Sequence, residues 1–315
     1  MTLNFVSMLP CGMVTPFRRA VQDYLDAHPG LLPPEASSLE ANVNHEKSYY
    51  PALEACQSAA ELPDILIASD IGNQFHRAFR QRFVESGVFE EFLPHGRNPQ
   101  LQQAGFFDPS GDYTMYSANL LVLVADYRQL GARRVPRRWE DLLDPQYRNL
   151  IAIRGDEDFF CNGVLIPLAH RFGMDAMSRL APNVREGMHP AQMAKLVGSG
   201  KPDSPAVYVM PQFFADKIVH KDAMEVVWPE EGAIPSPVVL LVKREAVARH
   251  GQLLDYLTSH DLAEVFTRNG FPSAHPGASD VLHGRPLFWV GWDFLAHEDV
   301  GAFKASIQRA FAEAR

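Results

Sequence analysis

The fold class is indicated most directly by the segment Pro63-Asp64-Ile65-Leu66-Ile67-Ala68, which ends in a continuous apolar run. A strand-length apolar run is typical of a β-strand that is buried on both faces of a parallel sheet. Similar segments lie at Tyr116–Ala125, Leu150–Arg154, Ala206–Met210 and Val238–Val242. Segments with helical periodicity alternate with them, so the sequence predicts an α/β fold with helices on the faces of its sheets.

The helical segments are marked by apolar residues at helical spacing and by breaker residues at their ends. Phe17, Val21 and Leu25 recur at this spacing until His28-Pro29-Gly30 ends the helix. From Arg244 onward the pattern is mostly helical. This order of strands and helices agrees with the α/β prediction.

Length and composition exclude several classes of protein. A chain of 315 residues with 46% hydrophobic residues is long enough for about two globular lobes. Its net charge of −9 argues against a nucleic-acid partner, which would require a concentrated basic face. Apolar stretches of membrane-spanning length are absent from the sequence, so we expect no membrane span.

The compartment is less clear from the sequence. The N-terminus lacks the basic and apolar regions of a secretory signal, so we expect either a mature fragment or a protein that stays inside the cell. The three cysteines cannot all pair with one another, which mildly favours a reducing compartment.

Several segments, taken in order along the chain, resemble one known family. The most specific is Trp139–Tyr147 followed by Asn149-Leu150-Ile151-Ala152-Ile153. The segments 63–70, 193–210 and 251–272 add to the likeness. Together they resemble the type 2 periplasmic solute-binding proteins of ABC transporters, in particular the branch of ferric-iron, polyamine and thiamine binders.

The resemblance implies a two-lobed fold in which each lobe is a mixed sheet flanked by helices. Lobe one would comprise residues 1–119 and 237–315, and lobe two residues 120–236. Two hinge strands, Tyr116–Val124 and Pro237–Val242, would join the lobes, and a small ligand would bind between the lobes by hinge closure. The chain would then be the monomeric binding component of an importer, working with an ABC permease and not as an enzyme. The family implies a periplasmic location, whereas the N-terminus leaves a cytoplasmic one open.

Ligands in open α/β sheets bind beyond the carboxyl ends of the strands, so the strand-to-helix loops supply the candidate site residues. In lobe one these residues are Met8, Cys11, Gly12, His45, Lys47, Ser48 and Asp70. In lobe two they are Asp158, Phe159, Cys161, Asn162, His189 and Phe213.

The chemistry of these loops leaves the ligand open. Ferric-binding relatives carry adjacent tyrosines where this sequence has Phe213-Phe214, so their phenolate iron site is absent. Sulfur and imidazole at Cys11, Cys161 and His189 would suit a softer transition metal or a metal complex bound as the ligand. The aromatic residues would instead suit an organic solute, and Asp70 a cationic one.

Two further classes of function remain as alternatives. One is a cytoplasmic ligand or metal sensor, or a metal chaperone, that reuses the binding fold. The other is an enzyme in which Cys11 and either His45 or His189 form a nucleophile–base pair. The sequence contains none of the common local signatures of hydrolases, zinc proteases or P-loop enzymes, which disfavours catalysis.

Overall fold

The structure is a computed structural model that describes residues 3–41, 49–156 and 159–315. The strands are β1 (Phe5–Leu9), β2 (Ser37–Ala41), β3 (Ile65–Ser69), β4 (Phe89–Glu90), β5 (Thr114–Asp126), β6 (Ile151–Asp156), β7 (Phe159–Phe160), β8 (Val184–Met188), β9 (Val207–Pro211), β10 (Met224–Val227) and β11 (Ile234–Lys243). The helices are α1 (Cys11–Ala27), α2 (Tyr50–Ala55), α3 (Arg77–Phe79), α4 (Pro99–Gln103), α5 (Tyr127–Leu130), α6 (Asn162–Phe172), α7 (Asp175–Leu180), α8 (Pro190–Leu196), α9 (Gln212–Ala215), α10 (Val247–Leu257), α11 (His260–Thr267), α12 (Trp292–His297) and α13 (Val300–Ala314).

The predicted α/β fold with mixed sheets is confirmed. Each apolar segment used for the prediction forms a strand, and the strands pair in both parallel and antiparallel directions. The family motif that begins at Trp139 forms a 3₁₀ helix over Trp139–Leu143. No helix in the described ranges is long and apolar enough to cross a membrane.

The chain divides into two compact units. Unit 1 comprises the described part of residues 1–119 together with 237–284 and 291–301. In its sheet, β1 is parallel to both β2 and β3, and β3 pairs antiparallel with β11. Every residue of β1 and β3 is buried, which is why these strands are apolar without alternation.

Unit 2 comprises residues 120–236, 285–290 and 302–315. Here β5 pairs antiparallel with β9 and β10, and β6 is parallel to β8 and β9. The long strands β5 and β11 each contribute residues to both units. They contain the two segments that were predicted to be hinge strands.

The C-terminal region differs from the prediction, which placed all of residues 237–315 in lobe one. Residues 285–290 and 302–315 belong to unit 2 because they pack there. Leu287 forms a parallel bridge with Ala233, and the Phe288 N–H donates to the Ala233 carbonyl over 2.8 Å. The ring of Phe311 in α13 lies 4.8 Å from that of Phe160. Residues 285–290 therefore form a strap on unit 2.

The strap fits only because residue 232 has no side chain. Gly232 has φ +115°, and a Cβ there would lie 2.6 Å from backbone atoms of Pro286 and Leu287. We expect Gly232→Ala to lower the free energy of unfolding by about 2 kcal/mol or more, through backbone strain and displacement of the strap. Urea unfolding of the two proteins measures this difference.

The matched control is Gly251→Ala in α10, where a Cβ would meet no atom within 4 Å. Alanine in a helix is favoured over glycine by about 0.5–1 kcal/mol, so this variant should be neutral or slightly stabilised. Equal losses in both variants would contradict the packing of the strap.

A buried ionic cluster lies where β3 begins and β11 ends. The Asp64 carboxylate lies 3.3 Å from the Lys243 ammonium and 2.9 Å from both the His250 ring and the Arg249 guanidinium. Asp64, Lys243 and His250 are all buried. Burial alone would raise the pKa of Asp64, but the His250 hydrogen bond and the Lys243 charge outweigh it and hold this pKa below its ordinary value.

Asp64 therefore stabilises unit 1 while its carboxyl is ionised. A carboxyl with a lowered folded-state pKa contributes stability above its unfolded pKa of about 3.9, and this contribution is lost as the pH falls through the folded-state pKa. We expect Asp64→Asn to cost about 3–5 kcal/mol at neutral pH, because it leaves buried cationic partners uncompensated. It should also make the loss of stability below pH ~4 shallower than in the wild type.

Chemical denaturation between pH 3 and 7 gives both readouts. Asp23→Asn is the control, because Asp23 forms only an exposed pair with Arg19, with side chains 73% and 84% exposed. Such pairs contribute about 0–1 kcal/mol. A wild-type-like profile for Asp64→Asn would contradict the role of the cluster.

Candidate functional site

The predicted site residues of unit 1 lie at the ends of two neighbouring strands. Strands β1 and β3 are parallel partners, so their carboxyl ends lie at the same sheet edge. Cys11 and Gly12, both half-buried, open α1 directly after β1, and Asp70 follows β3. Met8 is different, because its side chain is fully buried in the hydrophobic core.

Helix α1 begins without a capping side chain and without an acidic residue in its first turn. The first N–H groups of a 17-residue helix and its dipole favour a negatively charged group at this end. The loop between β1 and α1 thus suits an anionic or strongly polar group of a ligand.

Asp70 is held in an unusual backbone conformation. Its φ is +72°, a left-handed value that few non-glycine residues adopt. Its N–H donates to the Pro237 carbonyl, its side chain accepts from the Ile71 N–H over 2.9 Å, and its carbonyl accepts from the Gln74 side chain over 2.8 Å. Backbone strain of this kind persists only where surrounding contacts fix it, and it concentrates at functional loops.

Tyr50 anchors the same loop from outside the sheet. Its hydroxyl donates to the Ser69 carbonyl over 2.6 Å, and its own carbonyl accepts from the Asn73 side chain. A Cβ at Gly72 would lie 3.2 Å from the Tyr50 ring, so the loop approaches this ring closely. The sequence prediction missed Tyr50 and Gln74, because polar residues that support a loop from outside it carry no local sequence signal.

In unit 2 the predicted residues also gather at one sheet edge. Strands β6, β8 and β9 are parallel to one another. Their carboxyl ends lead to Cys161 and Asn162 (by way of β7), to His189 and to Phe213 respectively. Cys161 and Asn162 are buried at the start of α6, which has no capping side chain and no acidic residue in its first turn.

A cation lies beside Cys161. Arg154 of β6 donates from its guanidinium to the Cys161 sulfur over 3.3 Å, and its carbonyl accepts from the Cys161 N–H over 2.8 Å. Arg154 is half-buried, so its charge lies next to the uncapped start of α6. This residue was not among the predicted site residues, although its place at the end of a predicted strand was a usable signal.

The remaining predicted residues have structural contacts. The His189 ring nitrogen Nδ1 accepts from the Ala191 N–H and thereby caps α8. The half-buried Phe213 ring lies 4.5 Å from the Lys217 ammonium and edge-to-face with Phe214. The residues His45, Lys47, Ser48 and Asp158 lie outside the described residues, and of Phe159 only the backbone is described.

The metal hypothesis gains no geometric support. Within residues 3–41, 49–156 and 159–315, no group of three or more His, Cys, Asp and Glu side chains is arranged to hold a metal ion. The predicted ligand Cys161 contacts the cation Arg154, and His189 uses Nδ1 as a helix cap.

Comparisons with known proteins agree with this fold. A family model described as bacterial extracellular solute-binding protein matches residues 60–298. Among solved structures, the chain is similar to the periplasmic binding protein P5PA, with a TM-score of 0.69 and 15% identity over 100% of both chains. A comparison with curated proteins found no match.

Two further solved structures show the same fold. The Bordetella ferric binding protein has a TM-score of 0.64 and 14% identity, covering 100% of this chain and 99% of its own. AfuA from Actinobacillus pleuropneumoniae, solved with exogenous fructose-6-phosphate bound, has a TM-score of 0.60 and 16% identity, covering 99% and 96%.

The left-handed conformation of Asp70 can be tested with a pair of variants. We expect Asp70→Gly to be more stable than Asp70→Ala by about 1 kcal/mol, because glycine adopts positive φ without the steric cost of a Cβ. At Asp23 inside α1 the order should reverse, since alanine is the better helix former by about 1 kcal/mol. Urea unfolding of the four variants measures both differences, and the same order at both positions would contradict the assigned loop conformation.

Proposed function

Because the chain belongs to the family of bacterial extracellular solute-binding proteins, we propose that it is the solute-binding component of an ABC-type importer. The observation that carries this proposal is the family match over residues 60–298. The resemblance to the type 2 binder branch that the motif order indicated is thereby confirmed. The strand-end loops of each unit are the parts that would contact the solute.

We further propose that the solute is a small organic anion, with phosphate esters as the first class to test. Helices α1 and α6 both begin without a capping side chain and without an acidic first turn. Arg154 places a guanidinium beside the start of α6. Helix N-termini and guanidinium groups are the usual partners of phosphate oxygens. The Asp70 carboxylate accepts from the Ile71 N–H but keeps its negative charge, so we expect the anionic group to lie beside Arg154 and away from Asp70.

A bare ferric ion is a poorer candidate for the solute. Phe213 and Phe214 carry no oxygen, and their rings pack on each other and on Lys217. The two relatives named above, a ferric binder and a protein with fructose-6-phosphate bound, show that this fold accommodates either chemistry. The residues here favour the second.

The partnership with a permease and the closure of the hinge stay predictions. The partnership with an ABC permease follows from the family, and hinge closure about β5 and β11 would appear as a ligand-dependent decrease in the radius of gyration. Catalysis by Cys11 is not proposed. Of its two predicted partners, His45 lies outside the described residues and His189 caps α8 through Nδ1, and the family model describes binding proteins.

Isothermal titration calorimetry tests the solute class. We expect fructose 6-phosphate or another sugar phosphate to bind, and the corresponding free sugar to bind far more weakly. Arg154→Gln should weaken sugar-phosphate binding by about tenfold or more, which corresponds to the loss of a charge-assisted hydrogen bond of about 1.5–3 kcal/mol.

Arg171→Gln is the matched control, because Arg171 is an exposed arginine at the opposite end of α6. It should leave the affinity unchanged. Binding of ferric iron with no response to any organic anion would overturn the solute class and leave the family assignment intact. The absence of any small ligand that raises the melting temperature would overturn the solute-binding role itself.

A further inference from the structure

Unit 1 contains a cavity of about 340 Å³ that the proposed function does not use. Its walls come from three segments, namely residues 75–85, 108–113 and 292–297. The first segment includes α3 and a π-helical turn over Arg80–Val84, and the last is α12. This volume lies in the range of pockets that bind drug-sized molecules, about 300–1,000 Å³.

An aromatic cluster lies beside this cavity, in which Phe75 and Tyr113 are buried and the half-buried Trp292 presents most of the accessible aromatic surface. The Phe75 and Tyr113 rings stack at 5.0 Å, and the Trp292 ring lies 6.3 Å from the first and 5.6 Å from the second. The polar atoms of two of them are engaged by the protein. Tyr113 donates its hydroxyl to the Gln74 carbonyl, and Trp292 donates its indole N–H to the Phe106 carbonyl. The cluster is therefore an aromatic surface, which favours apolar or cationic groups.

The arginine that lines the cavity is already neutralised. Arg80 donates to the Leu295 and Ala296 carbonyls at the end of α12 and to the Glu85 carboxylate. Its side chain is only 14% exposed, and its hydrogen bonds fix the end of α12. It offers little to an anionic ligand.

The remaining charges of the lining are negative. Asp108 accepts hydrogen bonds from Ser110, Asp112 and Tyr113, which fold its own loop. The Asp112 carboxylate has no hydrogen bond or ion pair with a described residue, and the Asp293 carboxylate, at the solvent-exposed rim, lies 3.1 Å from the His297 ring. With Arg80 balanced by Glu85, three carboxylates exceed the fixed cations of the lining, so the cavity complements a positive charge.

We propose that this cavity binds a small organic cation. An alkylammonium group would face Asp112 and Asp293, and an apolar or aromatic skeleton would pack on Trp292 and Tyr113. Cations are attracted to aromatic faces within about 6 Å, most strongly to tryptophan. The site lies within unit 1 and is separate from the proposed anion site, so each can fail without the other.

Calorimetry with three probes of similar size tests the site. Phenethylammonium should bind saturably, whereas the neutral phenethyl alcohol and the anionic 3-phenylpropionate should bind at least tenfold more weakly. Asp112→Asn and Trp292→Phe should each weaken phenethylammonium binding by about three- to tenfold. Asp261→Asn, which removes one exposed charge from the same unit, should leave the affinity unchanged.

Two outcomes overturn the proposal. One is equal binding of the three probes, which would show a non-selective apolar depression. The other is a loss of phenethylammonium binding in Asp70→Asn with none in Asp112→Asn, which would place the cation at the strand-end loops. Arg154→Gln should not change phenethylammonium binding, and its effect on sugar phosphates distinguishes failure of the cation site from failure of the proposed function.

Discussion

The complete burial of β3 is the constraint on which unit 1 depends. All five residues of this strand are buried, so each backbone N–H and C=O must find a partner inside the protein. Strand β1 supplies partners on one side and β11 on the other. The chain must therefore enter the core at the start of β3 and leave it at the end. At the start of β3, the Asp64 carboxylate forms an ion pair with Lys243 and a hydrogen bond with His250. At its end, the left-handed conformation of Asp70 turns the chain into the candidate binding loop.

The architecture could be predicted from the sequence because buried strands and helices have recognisable patterns of apolar residues. Continuous apolar runs marked β3, β5 and β11, and helical periodicity marked α1. Short strands such as β4 and β7 were not predictable, because two residues carry no period. The strap at residues 285–290 was missed for another reason, since its bridge to Ala233 joins residues more than fifty positions apart.

The candidate site was predictable in its position but not in its chemistry. Loops that follow apolar strands could be named from the sequence, and parallel pairing gathers Cys161, His189 and Phe213 at one edge of the sheet of unit 2. What the sequence could not give was the partner of each side chain. In the sequence, Cys161 and His189 both suggested a soft-metal site. In the structure the Arg154 guanidinium donates to the Cys161 sulfur, and a ring nitrogen of His189 caps a helix. Site chemistry depends on such contacts more than on residue type.

The path of the chain between the units has a consequence for biosynthesis. Unit 2 needs residues 302–315, and unit 1 needs residues 291–301. Neither unit is a continuous stretch, so residues 1–119 and 120–236 must each wait for segments that are made later in synthesis. Domains usually fold as units during synthesis, from the N-terminus onward. Here neither unit can finish packing before residues 291–315 have been made, and partly folded chains must persist until then.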